Sequence, residues 1–228
     1  MRTLVKISLL LAFCVIVLGA YTRLTEAGLG CPDWPGCYGF MSVPTQEHHV
    51  AEAQMRFPDA PLEHHKAWNE MIHRYFAGTL GLLILVIAVG SVLKRRSTFD
   101  SKSTPKKLPL FILLLVIFQA TLGMLTVTMN LQPLIVMGHL LGGFSVLSLL
   151  FLLSLRLEPY RLGGGDPELR KYRGLALFAL LVVIGQIALG GWVAANYAAV
   201  ACTELPVCEG NWTSQLDFAG AFSVPEAT

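Results

Sequence analysis

Residues 71–93 read MIHRYFAGTLGLLILVIAVGSVL, a run of 23 residues whose only charged or readily titrated side chains, His73 and Arg74, stand together at one end. As a helix it would extend roughly 34 Å, enough to cross a hydrocarbon core of about 30 Å. It shows none of the polar and apolar alternation of a strand with one wet face. A histidine inside such a span is costly in lipid unless it turns into a bundle or a cavity. One segment therefore supplies both the class of fold and the first candidate for function.

Four similar stretches flank it, at about 4–21, 108–129, 134–155 and 174–195. Of the 228 residues, 54% are hydrophobic and 14% charged, whereas a water-soluble domain carries about a quarter charged residues. Disorder, collagen-like repeats and an ordinary cytosolic enzyme are excluded. The expected fold class is all-α, a polytopic membrane helix bundle with five transmembrane helices.

The net formal charge is only +2, so orientation rests on where the charges lie. With a cytoplasmic N-terminus, the inner segments hold thirteen of the seventeen Lys and Arg residues, and the outer ones keep Arg23, Arg56, Lys66 and Arg74 together with eleven of the fifteen acids. The loop 22–70 and the tail are then extracytoplasmic. Arg2 and Lys6 before a short apolar run, with Leu18-Gly19-Ala20 after it, also imitate a cleavable signal. No Arg-rich, Ser-rich transit segment precedes the run, so the expected location is a bacterial plasma (inner) membrane, crossed several times.

A shift of 171 positions aligns Gly19 with Gly190, Ala27 with Ala198, Cys31 with Cys202, Pro35 with Pro206, Cys37 with Cys208 and Gly39 with Gly210. The shared pattern, C-x3-P-x-C-x-G after an apolar helix, reads as a duplication in which spans one and five are equivalent. It argues that the first span is retained. The expected organisation is an N-terminal four-helix half at 1–155, a cytoplasmic linker at 156–173, and at 174–228 the first helix and outer loop of a second half. The last residue corresponds to about residue 57 of the first unit, so the chain reads as a fragment of an eight-helix duplicated bundle.

Outside the membrane, Cys31, Cys37, Cys202 and Cys208 face an oxidising compartment, where disulfides are the default. A redox-active pair or a metal site would use the same residues. His73 shares a helical face with Glu70. His139 lies six residues, or roughly 9 Å, inside the outer end of the fourth span. Two imidazoles in the outer half of the bilayer, on alternate helices, suit axial ligation of one haem held between them. Separately hydrogen-bonded core histidines or a non-haem metal would also account for them.

Glycines at 78, 81, 123, 138, 142, 143, 190 and 191 permit close approach of a flat group or, more simply, of another helix. Gln119 and Gln186 repeat a Q-x2-L-G element, and a Gln in a span needs a hydrogen-bond partner. Glu47-His48-His49 and Glu63-His64-His65 could gather a metal or remain solvated. Arg23, Asp33 and Arg74 gather near the outer interface, where an Arg can pair with a haem propionate or snorkel.

Taken in order, Thr22-Arg23-Leu24-Thr25, Gly28-Leu29, Cys31-Pro32-Asp33-Trp34-Pro35-Gly36-Cys37, Glu70-Met71-Ile72-His73-Arg74, Gln119-Ala120-Thr121-Leu122-Gly123, His139, Gln186 to Gly191 and Cys202 to Cys208 resemble the haem A synthase family over essentially the whole chain. The resemblance implies a membrane oxidoreductase that converts the C8 methyl group of haem O to the formyl group of haem A for haem-copper terminal oxidases. It implies eight spans in two pseudo-symmetric halves. His73 and His139 would be the axial ligands of the substrate haem, Glu70 the acidic residue three before the first ligand, and Cys31, Cys37, Cys202 and Cys208 disulfide partners. A haem b is expected in the half that this sequence does not contain. Expected partners are haem O, the lipid bilayer, haem O synthase and oxidase assembly factors; self-association stays open, and no nucleic acid is expected. Rival readings are a membrane b-type electron-transfer cytochrome, a quinone-linked thiol oxidase using the outer Cys pairs, and an assembly scaffold.

Overall fold

The computed structural model describes residues 1–93, 106–158, 166, 168–198 and 217–223. The helices run α1 (Arg2–Leu24), α2 (Glu47–Arg56), α3 (His64–Leu93), α4 (Lys107–Thr128), α5 (Pro133–Leu157), α6 (Arg173–Ala195) and a single turn, α7 (Phe218–Ala221). Five of them, α1 and α3 to α6, are long and apolar enough to cross a membrane. No strand forms among the described residues, so the all-α polytopic bundle is the fold.

Local chemistry sets the helix ends. Pro133 opens α5 at its first position, where the missing N–H would have had no partner, and Pro109 sits in the first turn of α4 for the same reason. The intervening turn at 129–132 carries Asn130 and Leu131 with positive φ of 46° and 57°. Leu131 N–H donates to the Thr126 carbonyl at 2.8 Å, and the Leu131 side chain packs under Gly28. The first outer loop thus lies across the α4–α5 turn.

The span expected to begin at 71 starts as a helix at His64. Its two extra turns are polar, so hydropathy has nothing there to mark. The loop 22–70 is likewise an ordered cap that contains α2, with its own core of Cys31, Cys37, Tyr38, Val43, Ala53, Ala67 and Met71. Gly30 crosses so close to α3 that a Cβ there would stand 2.5 Å from the Lys66 carbonyl carbon. Gly39 takes φ +82°, a conformation glycine adopts without steric cost.

Within the bundle, α1 packs on α3 and α5, α4 packs on the same two helices, and α6 joins from outside against α5. The inner core holds Val5, Ala12, Leu80, Ile84, Ile87, Ile112, Val146, Leu150 and Leu153. α6 touches α5 through Gly191, whose small size admits Leu140 and Met137. Between the inner core and the core of the cap lies one layer of polar side chains.

Candidate functional site

That layer consists of His73 on α3, His139 on α5 and Gln119 on α4. His73 and His139 are near enough for a charge on one to act on the other. Each ring lies against a glycine of a neighbouring helix. A Cβ at Gly19 of α1 would stand 3.0 Å from His73 Cε1, and a Cβ at Gly123 of α4 would stand 3.4 Å from His139 Cε1. Gln119, only 8% exposed, lies against Gly142 of α5. His73 Nδ1, His139 Nδ1 and Gln119 Nε2 are buried without a hydrogen-bond partner. Unpaired buried polar atoms are rare in folded proteins because each forfeits its hydration. Three of them lie on three packed helices, which makes this layer the candidate site.

One turn outward, the side chains serve the cap. Buried Glu70 accepts from the Cys31 N–H at 2.8 Å through Oε2 and from Arg74 through Oε1. Arg74 also donates to the Asp33 carbonyl at 2.9 Å and to those of Pro35 and Gly36. Asp33 accepts from the N–H groups of Tyr38 at 2.6 Å and Gly39 at 2.7 Å. Cys31 and Cys37, both fully buried, are joined in a disulfide. Glu70 and Arg74 therefore clasp the disulfide loop to α3 one turn from His73.

Asp33 and Arg74 come together as expected from the sequence, but Arg23 turns elsewhere. Its guanidinium donates to the Ala194 carbonyl, tying the outer end of α1 to that of α6, and lies 3.8 Å from the ring centroid of Tyr197. Ala194 is the counterpart of Arg23 in the 171-residue shift. His48 and His49 stand on α2 with rings 4.1 Å apart, and His64 and His65 begin α3. Among the described residues no group of three His, Cys, Asp or Glu is placed to hold a metal ion. Cys202 and Cys208 lie outside the described residues.

The chain matches the sequence model of the COX15-CtaA family, described as cytochrome oxidase assembly protein, over residues 2–227. It belongs to that family. Among its relatives, a heme A synthase of Shewanella oneidensis is 56% identical over 96% of this chain and 64% of its own length. Heme A synthases of Halalkalibacterium halodurans and Caulobacter vibrioides are 26% and 25% identical, over 89% and 92% of this chain and 62% and 64% of theirs. The chain thus spans under two thirds of the length of these relatives. No solved structure matches it. Family membership and the five apolar helices together make it a multi-pass bacterial membrane protein.

Two features of this family member are silent in the sequence. Gly19 is visible there only as a repeat position, not as the seat of His73; a small residue six before Thr25 in an apolar run carries no signal of its partner. The Glu70 and Arg74 clasp is hidden because its partners on the loop are backbone groups, which no side-chain pattern reports.

Proposed function

We propose that this chain carries the substrate half of a haem A synthase, in which His73 and His139 would hold the haem whose C8 methyl group is oxidised to a formyl group. The observation that carries this reading is the paired layer: two imidazoles from alternate helices, each seated on a glycine and each keeping a buried ring nitrogen without a partner. Neutral imidazole is an iron ligand, and the glycines give the two rings room to lie against neighbouring helices. The residues present therefore fit a haem. When bound, the haem supplies the redox chemistry, and the protein supplies ligation, orientation and a dry pocket.

In this reading the chain's own residues divide the work. Gly19 and Gly123 fix the rotamers of the two rings. Glu70 and Arg74 hold the cap closed over the layer; a proton-carrying role for Glu70 would require its carboxylate to leave Cys31 or Arg74. Arg23 and Arg74 place two cations at the outer edge, where propionates would face water, and each would share its guanidinium with the carbonyls it already holds. Residues 1–155 form the substrate half, 156–173 the cytoplasmic linker and 174–228 the start of a second half that would hold a haem b. The N-terminus is cytoplasmic, and haem O synthase and oxidase assembly factors are the partners that deliver substrate and take product. The buried Cys31–Cys37 disulfide disfavours the thiol oxidase, since exchange requires access to a sulfur.

The test is a reduced-minus-oxidised spectrum with pyridine haemochrome and haem extraction on the full chain in mild detergent, beside the Shewanella oneidensis relative. Haem O or haem A in the parent, lost in both His73→Ala and His139→Ala, is the expected result. Haem content and formyl product unchanged in both variants would sink the assignment, and haem b alone would move it to the electron-transfer cytochrome.

A further inference from the structure

The surface of α3 that faces away from the bundle carries Ile72, Tyr75, Phe76, Leu82, Val86 and Val89, all exposed and most of them three or four residues apart, so one apolar stripe runs down the helix. In a membrane this stripe meets lipid. The cap reaches over onto its upper end: the Tyr75 hydroxyl donates to the Met41 carbonyl at 3.0 Å, and Met41 is 79% exposed. Trp34, 41% exposed, lies between Asp33 and Pro35, whose carbonyls both accept from Arg74, the residue before Tyr75. The backbone that carries both apolar side chains is thereby tied to residues 74 and 75.

That level can be counted. Twenty residues back from Leu93, about 30 Å of helix, the hydrocarbon core ends near residue 73 or 74. Half-exposed Tyr75 therefore stands at the depth where aromatic residues with a polar tip concentrate in membrane proteins. Trp34 and Met41 lie at that depth too, although they belong to the loop and not to a span.

We propose that the face of the cap bearing Trp34 and Met41 is an interfacial anchor, occupied by the headgroup and upper acyl region of the outer leaflet. Its neighbour decides the occupant: through Tyr75 the patch adjoins the lipid-facing stripe of α3. A consequence follows for the layer of histidines. Glu70, Arg74 and the disulfide loop form one hydrogen-bonded unit, so an anchor on Trp34 and Met41 sets the depth of the cap over His73 and His139 independently of any haem.

The experiment uses the full chain with Trp34 as its sole tryptophan, Trp68, Trp192 and Trp212 being replaced by Phe, in phosphatidylcholine vesicles without other protein. Acyl chains carry a spin label near the headgroup or near the methyl end, and iodide serves as the aqueous quencher. Resistance of the buried Cys31–Cys37 bond to a water-soluble reductant reports that the cap is folded. The expected result is a blue shift on reconstitution, loss of most emission with the shallow label, less with the deep label, and little with iodide. Quenching by iodide alone, or by the deep label more than the shallow one, would overturn the proposal. A fluorophore on Met41→Cys, with Cys14, Cys202 and Cys208 replaced by Ser, repeats the measurement without the tryptophan replacements and should give the same order of quenching. A protein partner as occupant would leave both probes exposed to iodide in these vesicles.

Discussion

Gly19 shows how much of a site can depend on an atom that is absent. A methyl group there would stand 3.0 Å from His73 Cε1, where α1 and α3 pack together. Gly19→Ala must therefore rotate the imidazole or part the helices, at a cost of about 1–3 kcal/mol. Haem retention should fall roughly tenfold or more, since each 1.4 kcal/mol is a factor of ten. Gly123→Ala, starting from 3.4 Å, should do the same more mildly, while Gly185→Ala, with nothing within 4 Å, should be neutral. Haem content per protein, read from the absorption spectrum of the three purified variants, checks the order. Equal haem content in all three would remove the glycines from the site. The histidines were legible from sequence because an ionisable group in an apolar span is conspicuous. Their glycine seats were not, because the partner of a small residue depends on how helices rotate about their axes.

The cap shows what local pairing does for an element that has few regular hydrogen bonds of its own. Glu70 and Arg74, both largely buried, hold each other and four backbone groups of the loop from Cys31 to Gly36. Glu70→Gln removes the charge that balances the guanidinium and should cost about 3 kcal/mol, as for other buried pairs that lose one partner. The measurable result is faster reduction of Cys31–Cys37 by a water-soluble reductant, because the sulfurs become reachable when the loop lifts; an unchanged rate would show that the clasp does not hold the loop. Tyr38 gives the same element a dependence on pH. Burial, and after it the charges of Glu63, Glu70 and Asp33, push its phenol above the ordinary value of 10.0. The folded cap then keeps a proton that the unfolded chain has lost, so this contribution to stability is constant below about pH 10 and falls as pH rises beyond it. Tyr38→Phe should flatten that decline while losing the bond to the Pro61 carbonyl, worth about 1 kcal/mol. Alkylation of the cap cysteines after mild reduction, followed against pH in both proteins, would reveal the difference. Hydropathy marks this region only as a polar loop, since α2 has mixed polarity and the core of the cap draws on scattered apolar residues between 31 and 71.

For the whole molecule, the five spans were legible to within a few residues, apart from the two polar turns that open α3, because lipid leaves helices no alternative to satisfying their own backbone, so length and hydropathy nearly determine the element. The order of packing was not, and α6 shows why: its lipid-like surface is apolar almost all round, and only Gly191 and the carbonyls near Ala194 tell which side meets the bundle. The expected orientation rests on a different quantity, thirteen cations on the side read as cytoplasmic against four on the other. The disulfide depends on that orientation, since it persists in an oxidising compartment and not in the cytoplasm. Cysteine placed at Ala51, exposed on α2, should react with a membrane-impermeant maleimide added to intact cells, whereas cysteine placed at Ser101, between α3 and α4, should react only after permeabilisation. Cys14, Cys202 and Cys208 are replaced by Ser in both, and Cys31 and Cys37 stay blocked by their bond. The reverse pattern would put the cap in the cytoplasm, where the glutathione pool would keep exposed thiols reduced. The Cys31–Cys37 bond would then have to survive by burial alone. Reaction of both positions in intact cells would instead show that α3 does not cross the membrane, and the count that places Trp34 and Met41 at the interface would lose its reference.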